Sequence, residues 1–200
     1  LVFESYRDGN WEIYLMDGSV DNLRRLTADP TIDVSPRLDP STRHVAFASR
    51  RTGNYEIFIM NSDGSGLLQL THSGKDDENP QWSPDGARIA FEANRDSQTE
   101  VYVMNADGSN QIRLTNNPAY DGQPTWSPDG AHIAFTSQRS GGTRVWVMNA
   151  NGSSQAPLAT PWYASEPSWS PDGRKLACSC DPDYDGWLEA CLIDIATGNT

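Results

Sequence analysis

WSPDGARIAF, residues 82–91, returns as WSPDGAHIAF at 126–135 and begins again as WSPDGRKLAC at 169–178. Trp82, Trp126 and Trp169 are therefore 44 and then 43 residues apart. Phe3, Phe47, Phe91 and Phe135 step by 44, and so do Met16, Met60, Met104 and Met148. In RLDPSTRHVAF, residues 37–47, Leu38 holds the Trp slot one period earlier and the turn after it has decayed. A fixed period of this length decides the architecture before any single residue does. Five copies are expected, at approximately 1–35, 36–79, 80–123, 124–166 and 167–200, the first without its start and the last without its end.

Each copy reads as four short strands. PQWS is the first, and PDG then turns the chain tightly, Pro presetting φ and Gly accepting φ > 0. RIAFEA alternates large and small residues as the second strand, and EVYVMN is a third, rich in β-branched and aromatic residues. ADGS turns again before a fourth strand, IRLT. No stretch sustains a helical period. Four antiparallel strands per ~40–45 residues is the signature of a β-propeller blade. The incomplete first and last copies supply three strands each, which makes eighteen in all.

The bulk composition narrows the function classes. The chain has 200 residues and a formal net charge of −12. Such a field repels phosphate backbones and anionic lipid, which argues against nucleic-acid partners. No apolar run approaches the ~20 residues that span a bilayer, so membrane insertion is not expected. Seven Trp, seven Tyr and five Phe point to a core of few, large residues, and sixteen Gly with thirteen Pro to many turns.

The recurring pattern PxWSPDGxxIAF…R…EIYVMNxDGSxxxxLT resembles the TolB-like β-propeller family, and the likeness covers essentially the whole chain. Similar WD40-like blades occur in the propeller domains of some peptidases. The resemblance implies a propeller outside the cytoplasm, periplasmic or secreted to the extracellular space, that binds a protein partner.

No catalytic constellation is legible. His44, His72 and His132 have no metal-ligand spacing to Cys or to one another. The string nearest a nucleophile elbow, DGSGL at 63–67, is the ordinary turn after a third strand. Arg7, Arg51, Arg95 and Arg139 recur every 44 residues, with Glu12, Glu56 and Glu100 five residues after the first three. These are expected to pair across the hairpin as surface ion pairs contributing ~0–1 kcal/mol each, with a ring of anion-binding Arg as the alternative.

Asp33, Asp77 and Asp121 also repeat at 44, ahead of the Pro that precedes the Trp column, and Glu166 stands nearby in the next copy. First strands line a propeller's channel, so these four carboxylates are the candidate binding residues at its mouth. They bind a cation or partner there, or the Asp residues close Asx turns on the backbone.

The fifth copy departs most. Asp181, Asp183 and Asp185 before Gly186 match the opening of a calcium loop, with Glu189 the only further oxygen within reach. Residue 192, where an EF-hand needs its closing acid, is Leu192. A Ca²⁺ site and an acidic, solvated hairpin tip are both open readings. Cys178 sits in the Phe column and Cys191 in the aromatic column opposite it, so either a disulfide between them replaces an aromatic pair or two reduced, buried Cys fill its space, the disulfide being the favoured reading. Cys180 is then a free thiol, or available for an intermolecular bond, and the compartment is oxidising. The sequon at Asn151 marks an exposed turn that carries a glycan where the source glycosylates.

The sequence therefore predicts a non-enzymatic propeller with no required cofactor, acting as an extracytoplasmic protein-binding scaffold. Two alternatives stand beside it. One is a structural subunit that self-associates head to tail into a filament through open terminal blades. The other is a gating propeller of a peptidase.

Overall fold

The computed structural model describes residues 1–18, 22–158, 163–181 and 185–196. Among them are eighteen strands and no α-helix, grouped into five antiparallel sheets in chain order. The first holds β1 (Val2–Ser5), β2 (Glu12–Met16) and β3 (Leu23–Arg25). The second holds β4 (Asp33–Leu38), β5 (His44–Ser49), β6 (Glu56–Asn61) and β7 (Leu68–Gln69). The third holds β8 (Asp77–Trp82), β9 (Arg88–Ala93), β10 (Glu100–Asn105) and β11 (Ile112–Arg113). The fourth holds β12 (Asp121–Trp126), β13 (His132–Ser137), β14 (Arg144–Asn149) and β15 (Ala156–Pro157). The fifth holds β16 (Tyr163–Trp169), β17 (Lys175–Asp181) and β18 (Glu189–Asp194). Each sheet is a meander, and β4, β8, β12 and β16 pack one on the next as the inner strands. The chain is a row of propeller blades, as its period predicts.

The turn that opens the repeat is held by its own side chains. Ser83 Oγ donates to Asp85 at 2.5 Å, and Asp85 accepts the Ala87 N–H at 3.0 Å. Gly86 takes φ +69° where an L side chain is strained. In the decayed copy Asp39 accepts the Arg43 N–H instead, at 2.7 Å, and Thr42 is left at φ +59°.

The alternation of large and small residues along the second strands explains how blades stack. Ala46 and Ala48 of one blade meet Ile89, Phe91 and Met104 of the next. Ala90 receives Ile133, Phe135 and Met148 in the same way, and Ala134 receives Leu176 and Cys178. Phe47, Phe91 and Phe135 are wholly buried, and each such side chain stabilises by roughly 1.5–3 kcal/mol. The Trp column closes each joint at its polar end. Trp82 Nε1–H donates to the Arg37 carbonyl at 3.2 Å, Trp126 to Gln81 at 3.1 Å and Trp169 to Thr125 at 3.3 Å. Every acceptor belongs to the preceding blade. Leu38 has no such donor, so the joint between the first two sheets lacks this bond.

Candidate binding site in the channel wall

Each inner strand carries one bulge, always at the residue before its Pro. The ladder shifts between Val34 and Arg37, Glu78 and Gln81, Gly122 and Thr125, and Ser165 and Ser168. Proline disfavours the α region for its predecessor. That effect favours extended backbone, yet Ser35, Asn79, Gln123 and Glu166 sit in the left-handed region, at φ 54°, 52°, 53° and 55°. Non-glycine residues held there cost of order 1–3 kcal/mol each and persist only where the surroundings fix them.

A hydrogen-bond network across the blades does the fixing. Ser35 N–H donates to Glu4 Oε2 at 2.5 Å, Gln123 N–H to Glu92 Oε2 at 2.7 Å and Glu166 N–H to Thr136 Oγ1 at 3.1 Å. Every acceptor lies on the second strand of the preceding blade. Neighbouring bulges also bond directly: Ser35 Oγ donates to Asn79 Oδ1 at 3.0 Å, and Gln123 Nε2 to Glu166 Oε1 at 3.5 Å. Asn79 Nδ2 donates to Glu92 Oε1 at 2.9 Å. A cleft of about 480 Å³ opens against this wall, lined by Arg37, Asn79, Gln81, Gln123, Thr125 and Glu166. Amides, a guanidinium and a carboxylate recognise polar groups by hydrogen bonding, and the left-handed backbone presents them at a constant angle.

Above the network sits an unusual pair. Glu78 is directly opposite Glu92 in the β8–β9 ladder, a like-charged cross-strand pair that is intrinsically unfavourable. Burial first, then Glu92 and Asp76, push the Glu78 carboxyl up to about 7, with Arg50 opposing them. Tyr120 donates its hydroxyl to Glu92 at 3.1 Å, and burial with the Glu92 charge holds that phenol well above its ordinary value.

The structure sorts the four expected mouth residues into two groups. Glu166 is exposed and lies in the bulge column with Gln123. Asp33, Asp77 and Asp121 are wholly buried and carry Arg partners, which corrects their assignment to a ligand-binding mouth. Arg51 reaches Asp33 at 2.9 Å and Arg95 reaches Asp77 at 2.6 Å, while Arg139 pairs with Asp121. Burial lifts the Asp33 and Asp77 carboxyls even against these cations. The Arg column therefore does not pair with the Glu column. Glu12, Glu56 and Glu100 are buried, and each accepts a hydroxyl at 2.6 Å from Thr27, Thr71 or Thr115 at the end of the fourth strand. Arg25 and Arg113, not the hairpin Arg, meet Glu12 and Glu100.

In the fifth blade Asp181 accepts the Gly186 N–H at 3.2 Å and Asp185 the Trp187 N–H at 2.8 Å. Glu189 faces Cys180 across the ladder, and Asp183 lies outside the described residues. Among the described residues no group of three or more His, Cys, Asp or Glu converges to hold a metal. Asn151 is exposed and accepts the Ser153 N–H at 3.0 Å.

The cysteines require a second correction. Cys178 does stand opposite Cys191, but the disulfide joins Cys180 to Cys191, Cα atoms 6.0 Å apart, and Cys178 is the free, buried thiol. The ladder's phase is the reason. Ile195 N–H donates to the Arg174 carbonyl, and stepping by twos makes 178/191 a hydrogen-bonded pair. Such pairs hold their Cα atoms about 5.5 Å apart with diverging side chains, whereas a disulfide needs Cβ atoms near 3.8 Å. Strand twist brings the diagonal partner into that range instead.

Comparison with known proteins places the architecture. A family model described as the TolB beta propeller domain matches residues 1–91 and 76–199. TolB from Acinetobacter baumannii superposes with a TM-score of 0.84 at 22% identity, over 98% of this chain and 50% of that one. The putative TolB from Agrobacterium tumefaciens gives 0.82 at 24%, over 94% and 72%. Oligogalacturonate lyase from Vibrio parahaemolyticus gives 0.74 at 14%, over 98% and 59%. The chain thus spans half the length of the Acinetobacter protein, and these likenesses show the fold alone. No curated protein sequence matches it.

Proposed function

Because this chain belongs to the TolB β-propeller family, we propose that it is a binding scaffold that seats a polar segment of a partner polypeptide against its channel wall. The observation that carries this reading is the bulge column: Ser35, Asn79, Gln123 and Glu166 share one backbone conformation and one network across four blades. Strain repeated at equivalent places and turned toward an open cleft is spent on presenting side chains. The work is recognition without chemistry, since amides and a carboxylate in a solvated cleft supply no activated nucleophile. A periplasmic or extracellular setting is supported by the Cys180–Cys191 disulfide, because such bonds persist in oxidising compartments.

The test is affinity capture from an extracytoplasmic extract of the source organism, comparing the chain with its Gln123→Arg, Glu166→Arg double variant. A polypeptide retained by the first and lost from the second supports the reading. Equal retention by both overturns the channel wall as the site, and retention of nothing overturns the scaffold.

Self-association is a second reading, favoured by the apolar surface around β18. Trp187, Leu188 and Leu192 are 76%, 60% and 55% exposed there. Light scattering at increasing concentration checks it, and a constant mass near 22.1 kDa removes it.

A further inference from the structure

One joint between blades keeps its indole and loses the cation that covers it elsewhere. Arg88 of the third blade lies over the Trp126 ring of the fourth, its guanidinium carbon 4.6 Å from the centroid. One repeat further on, the shorter His132 takes the place of Arg88 and Trp169 that of Trp126. Trp126 is 6% exposed beneath its guanidinium. Trp169 is half-buried, and among the described residues no cation lies over its ring. A cleft of about 530 Å³ opens there, and Asp129, His132, Val147, Trp169, Asp172 and Ile195 line it.

The turns on either side give the cleft its charge. Asp129 Oδ1 accepts from Ser127 Oγ at 2.5 Å and from the Ala131 N–H at 3.0 Å. Asp172 Oδ1 accepts from Ser170 Oγ at 2.6 Å and from the Arg174 N–H at 3.0 Å. These bonds hold both carboxyls below their ordinary range, so both are ionised at neutral pH. In the joint that Arg88 occupies, Asp85 and Asp129 hold the equivalent places. There the Arg88 charge helps keep the Asp85 carboxyl low, after the bonds from Ser83 and the Ala87 N–H. The frame that receives a guanidinium in one joint is therefore repeated in the next without one. The net charge of −12 adds to its attraction for a cation.

We propose that this cleft binds the guanidinium of an arginine side chain on a partner polypeptide, laid over Trp169 as Arg88 is laid over Trp126. Indole is the strongest cation–π acceptor among the side chains, and a guanidinium also stacks on it. Asp129 and Asp172 supply charge-assisted acceptors, while Val147 and Ile195 offer apolar surface to the methylene stem. The same two carboxylates repel the α-carboxylate of free arginine, so a polypeptide is the source. This cleft shares no lining residue with the one against the channel wall, and its occupancy does not rest on that site.

Two-dimensional NMR of the isotope-labelled chain, titrated with N-acetylarginine amide, tests the proposal. The variants are taken from the protein's own repeats, so the fold already accepts each at an equivalent place. Trp169→Leu follows Leu38, His132→Arg follows Arg88, and Arg88→His follows His132. Trp169→Leu identifies the Trp169 indole signal by its loss. A saturable shift of that signal is the expected result. Affinity should be about tenfold weaker or more in His132→Arg, whose own guanidinium covers the ring. In Arg88→His a second saturable shift should appear, at the Trp126 indole. No saturable shift in the unaltered chain overturns the proposal, as does unchanged affinity in His132→Arg or a Trp126 signal that stays still in Arg88→His. Equal binding of N-acetyllysine amide overturns the guanidinium, and equal binding of free arginine overturns the polypeptide.

Discussion

Arg95 lays its guanidinium across the rings of Phe91 and Tyr102, at 5.4 and 4.8 Å from their centroids, and ends in a two-point grip on Asp77. Arg51 repeats the arrangement over Phe47 and Phe58 onto Asp33. One side chain thus caps the aromatic pair of its own blade and neutralises the first residue of its inner strand.

Removing the cation should cost more than removing the anion. Arg95→Met leaves the Asp77 carboxylate buried without its cation, a loss of about 3–5 kcal/mol in urea unfolding. Asp77→Asn keeps a neutral hydrogen-bonding group and should cost distinctly less. The Arg95→Met, Asp77→Asn double variant should be more stable than Arg95→Met alone.

The decayed turn offers a gain. Thr42 is exposed, β-branched and left-handed, where Gly86, Gly130 and Gly173 stand in the later copies. Strain at such a residue is worth about 1–3 kcal/mol, against about 0.5–1 kcal/mol for the added freedom of Gly in the unfolded chain. Thr42→Gly should raise Tm by roughly 2–4 °C in a thermal melt, the shift for about 1 kcal/mol at this size.

These two sites show what reading the sequence alone reached. The turn, the blade period and the opposition of Phe47 to Phe58 and Cys178 to Cys191 all follow from spacing, because a two-strand register is fixed by its hairpin. Which carboxylate column an Arg reaches does not follow, since Glu100 is five residues from Arg95 and Asp77 eighteen, and only the packed sheet brings the distant one into contact. The disulfide depended on the phase of the hydrogen-bond ladder, which residue spacing does not encode. The channel wall did leave a signal. A polar residue precedes Pro in every inner strand, at Ser35, Asn79, Gln123 and Glu166, but only Glu166 is charged, and an uncharged polar residue beside a Pro is equally at home in an ordinary turn.

Gly122 is required by its neighbours. A Cβ built there meets the Tyr120 hydroxyl and the Glu92 carboxylate. Gly122→Ala should cost about 1–3 kcal/mol by overpacking. The same substitution in a Tyr120→Ala background should cost less, and a double-mutant cycle by denaturant unfolding measures the difference.

Glu78 makes stability depend on pH. Its carboxyl keeps its proton to about 7 in the fold, against 4.5 for the unperturbed group. Between those values the folded state binds the extra proton, so stability falls as pH rises through that window. Glu78→Gln should therefore raise Tm at pH 8 by roughly 2–4 °C, if about 1 kcal/mol of the penalty survives solvent screening. At pH 4, where both states are largely protonated, it should change Tm little.

The Trp Nε1–H bonds have a consequence for ancestry. Each 44-residue copy carries one donor for the blade before it and one carbonyl for the blade after it. A tandem duplication therefore inserts a blade whose indole finds the acceptor of its parent and whose own carbonyl meets the next indole. No polar group is orphaned at the moment of insertion, so lengthening the array meets no chemical barrier at the joint. Among the described joints, the one at Leu38 is held without an indole and rests at that point on apolar packing.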